Sequence, residues 1–345
     1  MSLIINCMSL ASKLKLYRVR TVFRYIVNSW NNSAFIMAHA VGRKRISIYL
    51  DLLRSFLQYG ADFNDYCTFS FWNKSNEEKD TYITLRRNDQ LRFAFCTPRV
   101  YDLFLDKALF NTRYSKWVKR DWIATTCSPM TEVIDFINRH ESVIIKPLSD
   151  YGGHGVKKID KNQIDREGII TDLKQTISSG KNYIIEEVVE NCENLKRLAP
   201  SSLNTVRLVT VIDKSGELHI IASLLRMGNG ISLTDNYHDG GMACVIDMDT
   251  MQLRGNAVGM NCVRHDIHPY SGIPFDGYPV PEVKICVDMI KEIVSVEPEA
   301  RYVGWDFAIC PGGGIELLEG NIPPGEDITQ INRDKGLWYK LLEWR

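Results

Sequence analysis

The segment from Gly304 to Gly325, G-W-D-F-A-I-C-P-G-G-G-I-E-L-L-E-G-N-I-P-P-G, constrains the fold more than any other part of the chain. The runs Tyr302–Ile309 and Ile315–Asn321 read as two short strands, and the Pro-Gly-Gly-Gly between them as a tight hairpin turn. A turn centred between Gly312 and Gly313 sets Asp306 directly opposite Glu319, and opposed residues of antiparallel strands share a face. Asn321 lies two residues beyond Glu319 and points the same way. Carboxylates facing each other repel unless a cation lies between them. Three oxygen donors without His or Cys suit a hard ion such as Mg²⁺. The other reading is the polar face of a solvated hairpin. A slip of one residue would put Asp306 and Glu319 on opposite faces. With only a metal to neutralise them, an amide at either carboxylate position should relieve repulsion and leave the fold intact.

A chain of 345 residues, 45% of them hydrophobic, is long enough for two or three domain cores. Its 42 basic and 42 acidic residues balance, so global charge does not point to nucleic acid. The balance breaks at the start, where residues 1–60 hold nine basic residues against Asp51 alone. There Leu14, Tyr17, Val22, Tyr25 and Ile26 recur at helical spacing among Arg and Lys. Such a helix offers peripheral contact with an anionic membrane or a cradle for an anionic substrate; an ordinary solvated basic face is the plainer reading. The nine cysteines are scattered, odd in number and never spaced C-x-x-C, which fits reduced thiols better than zinc or a disulfide framework. No apolar run approaches the ~20 residues of a membrane span. Charges follow the apolar start instead of preceding it, unlike a signal peptide. The expectation is a soluble cytoplasmic protein.

Residues 1 to about 95 read as mostly helical, with Ile48–Leu57 a second apolar segment and Asn73–Asp80 a polar loop. One helix is expected over residues 101–120, carrying Asp106 and Lys107, and another over Val133–Arg139. The β-branched run Val143–Ile145 is a strand closed by Lys146, whose ammonium needs an anion if buried. The loop S-D-Y-G-G-H-G follows, with Gly152, Gly153 and Gly155 around His154 and a returning strand to Ile159. Such a loop can turn its backbone N–H groups onto phosphate, although an ordinary hairpin turn explains it as well. A helix over Gln163–Ser178 leads to the strand Tyr183–Glu190, whose Glu186 and Glu187 need partners. An adenine amino group would serve Glu186, with backbone near Glu187 and Val189 reading the ring edge; a local salt bridge is the alternative. The strands Asn204–Ile212 and Leu218–Leu225 bring Arg207 and Arg226, whose planar forks suit phosphate or carboxylate. A polar loop at Asn236–Gly241, a strand at Met242–Asp247 and a helix over Pro281–Val294 complete the series.

In this order, the pieces resemble the ATP-grasp superfamily over roughly residues 100–330, and most closely its sugar-transfer-associated branch. N-T-V-R at Asn204–Arg207, Y-H-D-G-G at Tyr237–Gly241 and W-D-F-A…L-L-E-G-N-I-P-P-G carry that closer likeness. The resemblance implies an α+β ATP-grasp fold: two α+β subdomains, 101–189 and 190–345, gripping ATP, and an additional mostly helical region, 1–100, contacting substrate or partner. It implies that Lys107 and Lys146 contact ATP phosphates and that Gly152, Gly153, His154 and Gly155 form the lid. Glu186, Glu187 and Val189 would then hold adenine, Glu190 the ribose, and Asp306, Glu319 and Asn321 Mg²⁺. Some relatives carry an Arg two residues before the metal Asp; here Gly304 stands there, leaving that function to Arg207 or Arg226. His238 is a candidate general base, or a loop histidine satisfied locally. The implied activity is ADP-forming ligation of a small-molecule carboxylate to an amine through an acyl phosphate, on an acidic sugar or amino acid in polysaccharide or natural-product synthesis. A small-molecule kinase on the same fold and a non-catalytic nucleotide-binding module are the rival readings.

Overall fold

The computed structural model describes residues 42–148, 155–230, 240–259 and 263–345. The basic helix expected around residues 14–26 and the polar loop at 236–239 lie outside them.

Among the described residues six α-helices come first: α1 (Arg45–Tyr59), α2 (Phe63–Thr68), α3 (Asn76–Asp80), α4 (Leu85–Phe95), α5 (Pro98–Leu105) and α6 (Lys107–Arg113). α1 buries Ile48, Leu52, Ser55 and Tyr59, the single face that 3.6-residue periodicity allows. Two expectations fail here. The polar stretch after Asn73 is helical because Ser75 and Glu78 cap each other's backbone N–H groups. The helix expected over 101–120 breaks at Asp106, whose Oδ1 accepts from the N–H groups of Ala108 (2.9 Å) and Leu109 (3.1 Å) and so starts α6 afresh.

A four-stranded antiparallel sheet follows, in the order β1-β4-β2-β3: β1 (Trp122–Ala124), β2 (Ser142–Pro147), β3 (Lys157–Asp160) and β4 (Tyr183–Glu187). Helices α7 (Met130–Arg139) and α8 (Arg166–Ser178) pack on it through Val133, Phe136, Ile170 and Leu173. As the sequence suggests, β2 and β3 pair on either side of the glycine loop.

After α9 (Glu193–Leu198) comes a seven-stranded antiparallel sheet: β5 (Thr205–Ile212), β6 (Leu218–Met227), β7 (Met242–Asp247), β8 (Gln252–Gly259), β9 (Arg264–His265), β10 (Tyr302–Ile309) and β11 (Ile315–Asn321). Its order is β11-β10-β5-β6-β7-β8-β9. Helix α10 (Val283–Val296) contributes Val283, Cys286, Ile290 and Ile293 to the main core. On the opposite face α11 (Glu326–Thr329) and Ile331 pack on Leu224, Ala243 and Val258. The description ends with α12 (Trp338–Trp344).

The N-terminal helices dock on the segment that leaves β11. Asn88 Nδ2 donates to the Pro324 carbonyl and to Glu326 Oε2, each at 2.7 Å. Gln330 accepts from the Ile83 N–H (3.0 Å) and donates to its carbonyl (2.7 Å). Among the described residues no helix is long and apolar enough to cross a membrane. Six of the described cysteines are free, as the scattered spacing suggests, and Cys67 is disulfide-bonded.

Candidate active site

The hairpin places Asp306 opposite Glu319, and Gly304 opposite Asn321. Two departures from regular geometry cancel to give that pairing. Ile309 pairs with Ile315, which centres the turn on Gly312 and not between the glycines; Leu318 is then the extra residue of a β-bulge that restores the register. Gly312 and Gly313 both hold positive φ (72° and 79°), a conformation that glycine adopts without steric cost.

Asp306 is 2% exposed and does not await a metal for its neutralisation. It pairs across the sheet with Arg207, whose Nε bonds Oδ1 and whose Nη2 donates to Oδ2 at 2.7 Å. Arg226 Nη1 donates to the same Oδ2 at 2.9 Å. Burial pushes the Asp306 carboxyl up, but Arg207 and Arg226 outweigh it and hold the group below the ordinary carboxylate range. The carboxylate expected to need a cation thus already has two, and the two arginines expected to meet phosphate meet Asp306. Because Asp306 opposes Arg207, and Arg207 opposes Leu224 two residues before Arg226, the four strands β11-β10-β5-β6 present Glu319, Asp306, Arg207 and Arg226 as one polar row. Leu224 sets this row on the face that carries α11.

The three oxygen-bearing side chains converge: Asn321 Nδ2 is 3.3 Å from Asp306 Oδ2 and 3.3 Å from Glu319 Oε1. Turning the amide end for end offers Oδ1 in place of Nδ2, and the set becomes oxygen donors only, which fits a hard divalent cation. Glu319 is the less engaged carboxylate and would be the principal ligand. Gly304, two residues before Asp306, leaves room that Arg207 fills: a Cβ at 304 would stand 3.1 Å from Arg207 Cδ and 3.0 Å from Pro324 Cβ.

A second buried charge cluster joins the two sheets. Glu186 is 2% exposed, with Oε1 accepting from Arg120 Nη2 (2.6 Å), Arg120 Nε (3.0 Å) and Asn111 Nδ2 (3.1 Å). Its Oε2 meets Lys146 Nζ at 2.6 Å. The anion that Lys146 requires is therefore Glu186, and Glu186 has its local ion pair in place of the adenine amino group expected for it. Burial raises the Glu186 pKa, yet Arg120 and Lys146 reverse the effect and hold it well below the usual range. Arg120 also donates from Nη1 to Glu316 Oε1 (2.7 Å) and from Nη2 to the Leu318 carbonyl (3.0 Å), tying β4 to the bulge of β11. Lys146 and Glu186 line a cavity of about 250 Å³ between the sheets, walled by Ile144, Val156, Val189 and Leu318. An apolar slot of this size with a lysine at its edge has room for a planar ring.

The remaining candidates are distributed as follows. Val189 and Glu190 line the cavity, but Glu190 is ion-paired with Lys196 at 2.7 Å. Glu187 lines it as well, with Oε2 accepting from the Asp121 N–H at 3.3 Å. Lys107 opens α6, its backbone N–H 3.5 Å from the Leu148 carbonyl just beyond Lys146. Gly155 sits against Pro147. Gly152, Gly153, His154 and His238 lie outside the described residues. Sequence reasoning missed Arg120, Asn111 and Glu316: they occupy a helix, its trailing loop and a strand, and only the fold brings them together.

A family model described as sugar-transfer associated ATP-grasp matches residues 86–343. The chain belongs to that family. No curated protein matches this family member. Among solved structures it is similar to D-alanyl-alanine synthetase A from Vibrio cholerae, at 14% identity over 72% of this chain and 62% of that one, with a TM-score of 0.45. D-cycloserine synthetase DcsG matches at 13% identity over 76% and 80% of the two chains, with a TM-score of 0.44. VanG D-Ala:D-Ser ligase from Enterococcus faecalis matches at 12% identity over 72% and 64%, with a TM-score of 0.45. The chain thus spans less than two thirds of the length of the synthetase and of VanG.

Proposed function

We propose that this ATP-grasp protein is an ATP-dependent, ADP-forming ligase that joins a small-molecule carboxylate to an amine through an acyl phosphate. The row Glu319–Asp306–Arg207–Arg226, which begins one residue beyond Leu318 of the cavity edged by Lys146, is the observation that carries the reading. Attack of a carboxylate oxygen on a terminal phosphate brings anions together, so the site must supply positive charge where they meet. Arg207 and Arg226 are fixed for that purpose by Asp306, which orients both guanidinium groups without leaving either alone. Glu319, Asp306 and Asn321 would hold Mg²⁺, which supplies Lewis-acid neutralisation of phosphate oxygens when bound. Lys146, anchored by Glu186, directs its ammonium to the cavity edge. The glycine-rich loop after Pro147 would exclude water from a labile acyl phosphate, and His238 would take the proton of the incoming amine. Acidic sugars and amino acids, as used in polysaccharide or natural-product synthesis, are the acid substrates this charge distribution favours.

The test is a screen of carboxylic acids for ADP release in the presence of Mg²⁺ and ATP, with hydroxylamine as acceptor. A ligase turns its acid into a hydroxamate. Stable phosphorylated product without hydroxamate would instead mark a kinase, and absence of turnover with every acid and amine a nucleotide-binding module.

A further inference from the structure

A second cavity, of about 280 Å³, lies where the N-terminal helices meet the segment after α11. Lys74, Arg264 and Arg333 line it, with Asp334 the one acidic residue among the described residues of the lining. Neutral oxygens hold Lys74 and Arg333 in place. Lys74 Nζ donates to the Asp334 backbone carbonyl at 3.3 Å, and Arg333 Nη2 to the carbonyl of Ile221 on β6. Arg264 donates to Asn332 Oδ1, to the Thr68 carbonyl (3.3 Å) and to Ser70 Oγ (3.4 Å). Such acceptors orient a cation without cancelling its charge. Among the described residues, Lys74 and Arg333 bond backbone carbonyls and meet no carboxylate.

The backbone is strained to build this arrangement. Ser70 and Asn332, both lining the cavity, hold left-handed conformations with φ of 55°. Each such non-glycine residue costs on the order of 1 kcal/mol or more, and such residues cluster where a ligand is gripped. Here both deliver a side-chain oxygen to Arg264. Burial, and then Arg254, depress the pKa of Arg333. Ile221 lies five residues before Arg226 on β6, roughly 17 Å along the strand, so the cavity is separate from the polar row.

We infer that this cavity binds the phosphate group of a small-molecule ligand. Two planar forks and an ammonium around one space match a tetrahedral dianion better than a single carboxylate. The site extends beyond the ligase reading and does not depend on it.

Isothermal titration of the full chain at constant ionic strength tests this, with inorganic phosphate, a sugar 1-phosphate and glucuronate as probes. Saturable binding of both phosphates is expected, about tenfold weaker or more in Lys74→Gln and in Arg333→Gln, the loss of one charge-assisted contact. Mg·ADP affinity should stay at the wild-type value in both variants. Lys146→Gln should show the opposite pattern, with Mg·ADP binding weakened and phosphate binding intact. Tighter binding of the sugar phosphate than of inorganic phosphate identifies an esterified ligand, and equal affinity identifies free phosphate. Absence of saturable binding, binding unchanged in both cavity variants, loss of phosphate binding in Lys146→Gln, or glucuronate binding as tightly as phosphate would each overturn the assignment. Lys74 has no buried strand partner, so Lys74→Gln keeps the test decisive should Arg333→Gln fail to fold.

Discussion

Asp306 carries one negative charge between two buried guanidinium groups, and that ratio decides what a substitution there does. Read as a carboxylate merely facing Glu319, it gains from replacement by an amide. Placed between Arg207 and Arg226, it loses: Asp306→Asn leaves the buried Arg207 without its counter-charge and takes one carboxylate from Arg226, and breaking a buried pair typically costs about 3 to 5 kcal/mol. Glu319 is half-buried and bonds only neutral or shared donors, so Glu319→Gln should cost under about 1 kcal/mol. Both variants should lose ADP release by about a hundredfold or more, as expected when a charge that organises the transition state is removed. Urea unfolding at pH 7 beside an ADP-release assay separates the two effects. Equal stability of the two variants would show that the arginines are neutralised some other way.

At the level of elements, Arg120 joins the two sheets, and removing it tests that joint. Arg120→Met leaves Glu186 and Glu316 buried without a guanidinium, and a loss of about 3 to 5 kcal/mol is expected in denaturant unfolding. Adding Glu316→Gln to that variant should cost less than it does in the wild type, because the carboxylate it removes is by then a liability. Strict additivity would deny the coupling. The same joint shows what the sequence made legible. Turn glycines and alternating apolar runs located β2, β5, β6, β10 and β11, because period-two patterning and Pro-Gly punctuation are local signals. The Asp306–Glu319 pairing followed from them, although an unforeseen bulge at Leu318 had to offset a turn centred elsewhere. Ser75 and Glu78 held a capping box in plain view, obscured by the polarity of the residues around it. Arg120 could not be found that way: its partner Glu186 is 66 positions distant, and no periodicity or spacing relates them.

On the scale of the whole molecule, the N-terminal helices are clamped to the seven-stranded sheet through acids whose pKa the interior raises. Burial, and then Asp327, push Glu326 up to about 8, and burial followed by Asp62 raises Asp65 well above its usual value. A carboxyl whose pKa is higher in the folded protein binds its proton more tightly there. Its contribution to stability is complete below the unfolded pKa of 4.5 and is lost as pH rises through about 8. Glu186 and Asp306 have the opposite sign: their folded pKa values are depressed, so their contribution is present above the unfolded values near 4 and fades as pH falls. Stability should therefore peak at weakly acidic pH and decline toward pH 9. Glu326→Gln removes the alkaline decline while keeping an acceptor for Asn88 Nδ2. The gain at pH 9 is bounded by roughly 5 kcal/mol for a shift of this size, less whatever Asp65 takes up of the shared titration. Thermal melts from pH 5 to pH 9 read this directly: the variant should match the wild type at pH 5 and melt higher at pH 9. Parallel melting curves across that range would mean that Glu326 is solvated in solution, and that the helical region is not held to the segment after the hairpin as tightly as Asn88, Gln330 and Glu326 place it.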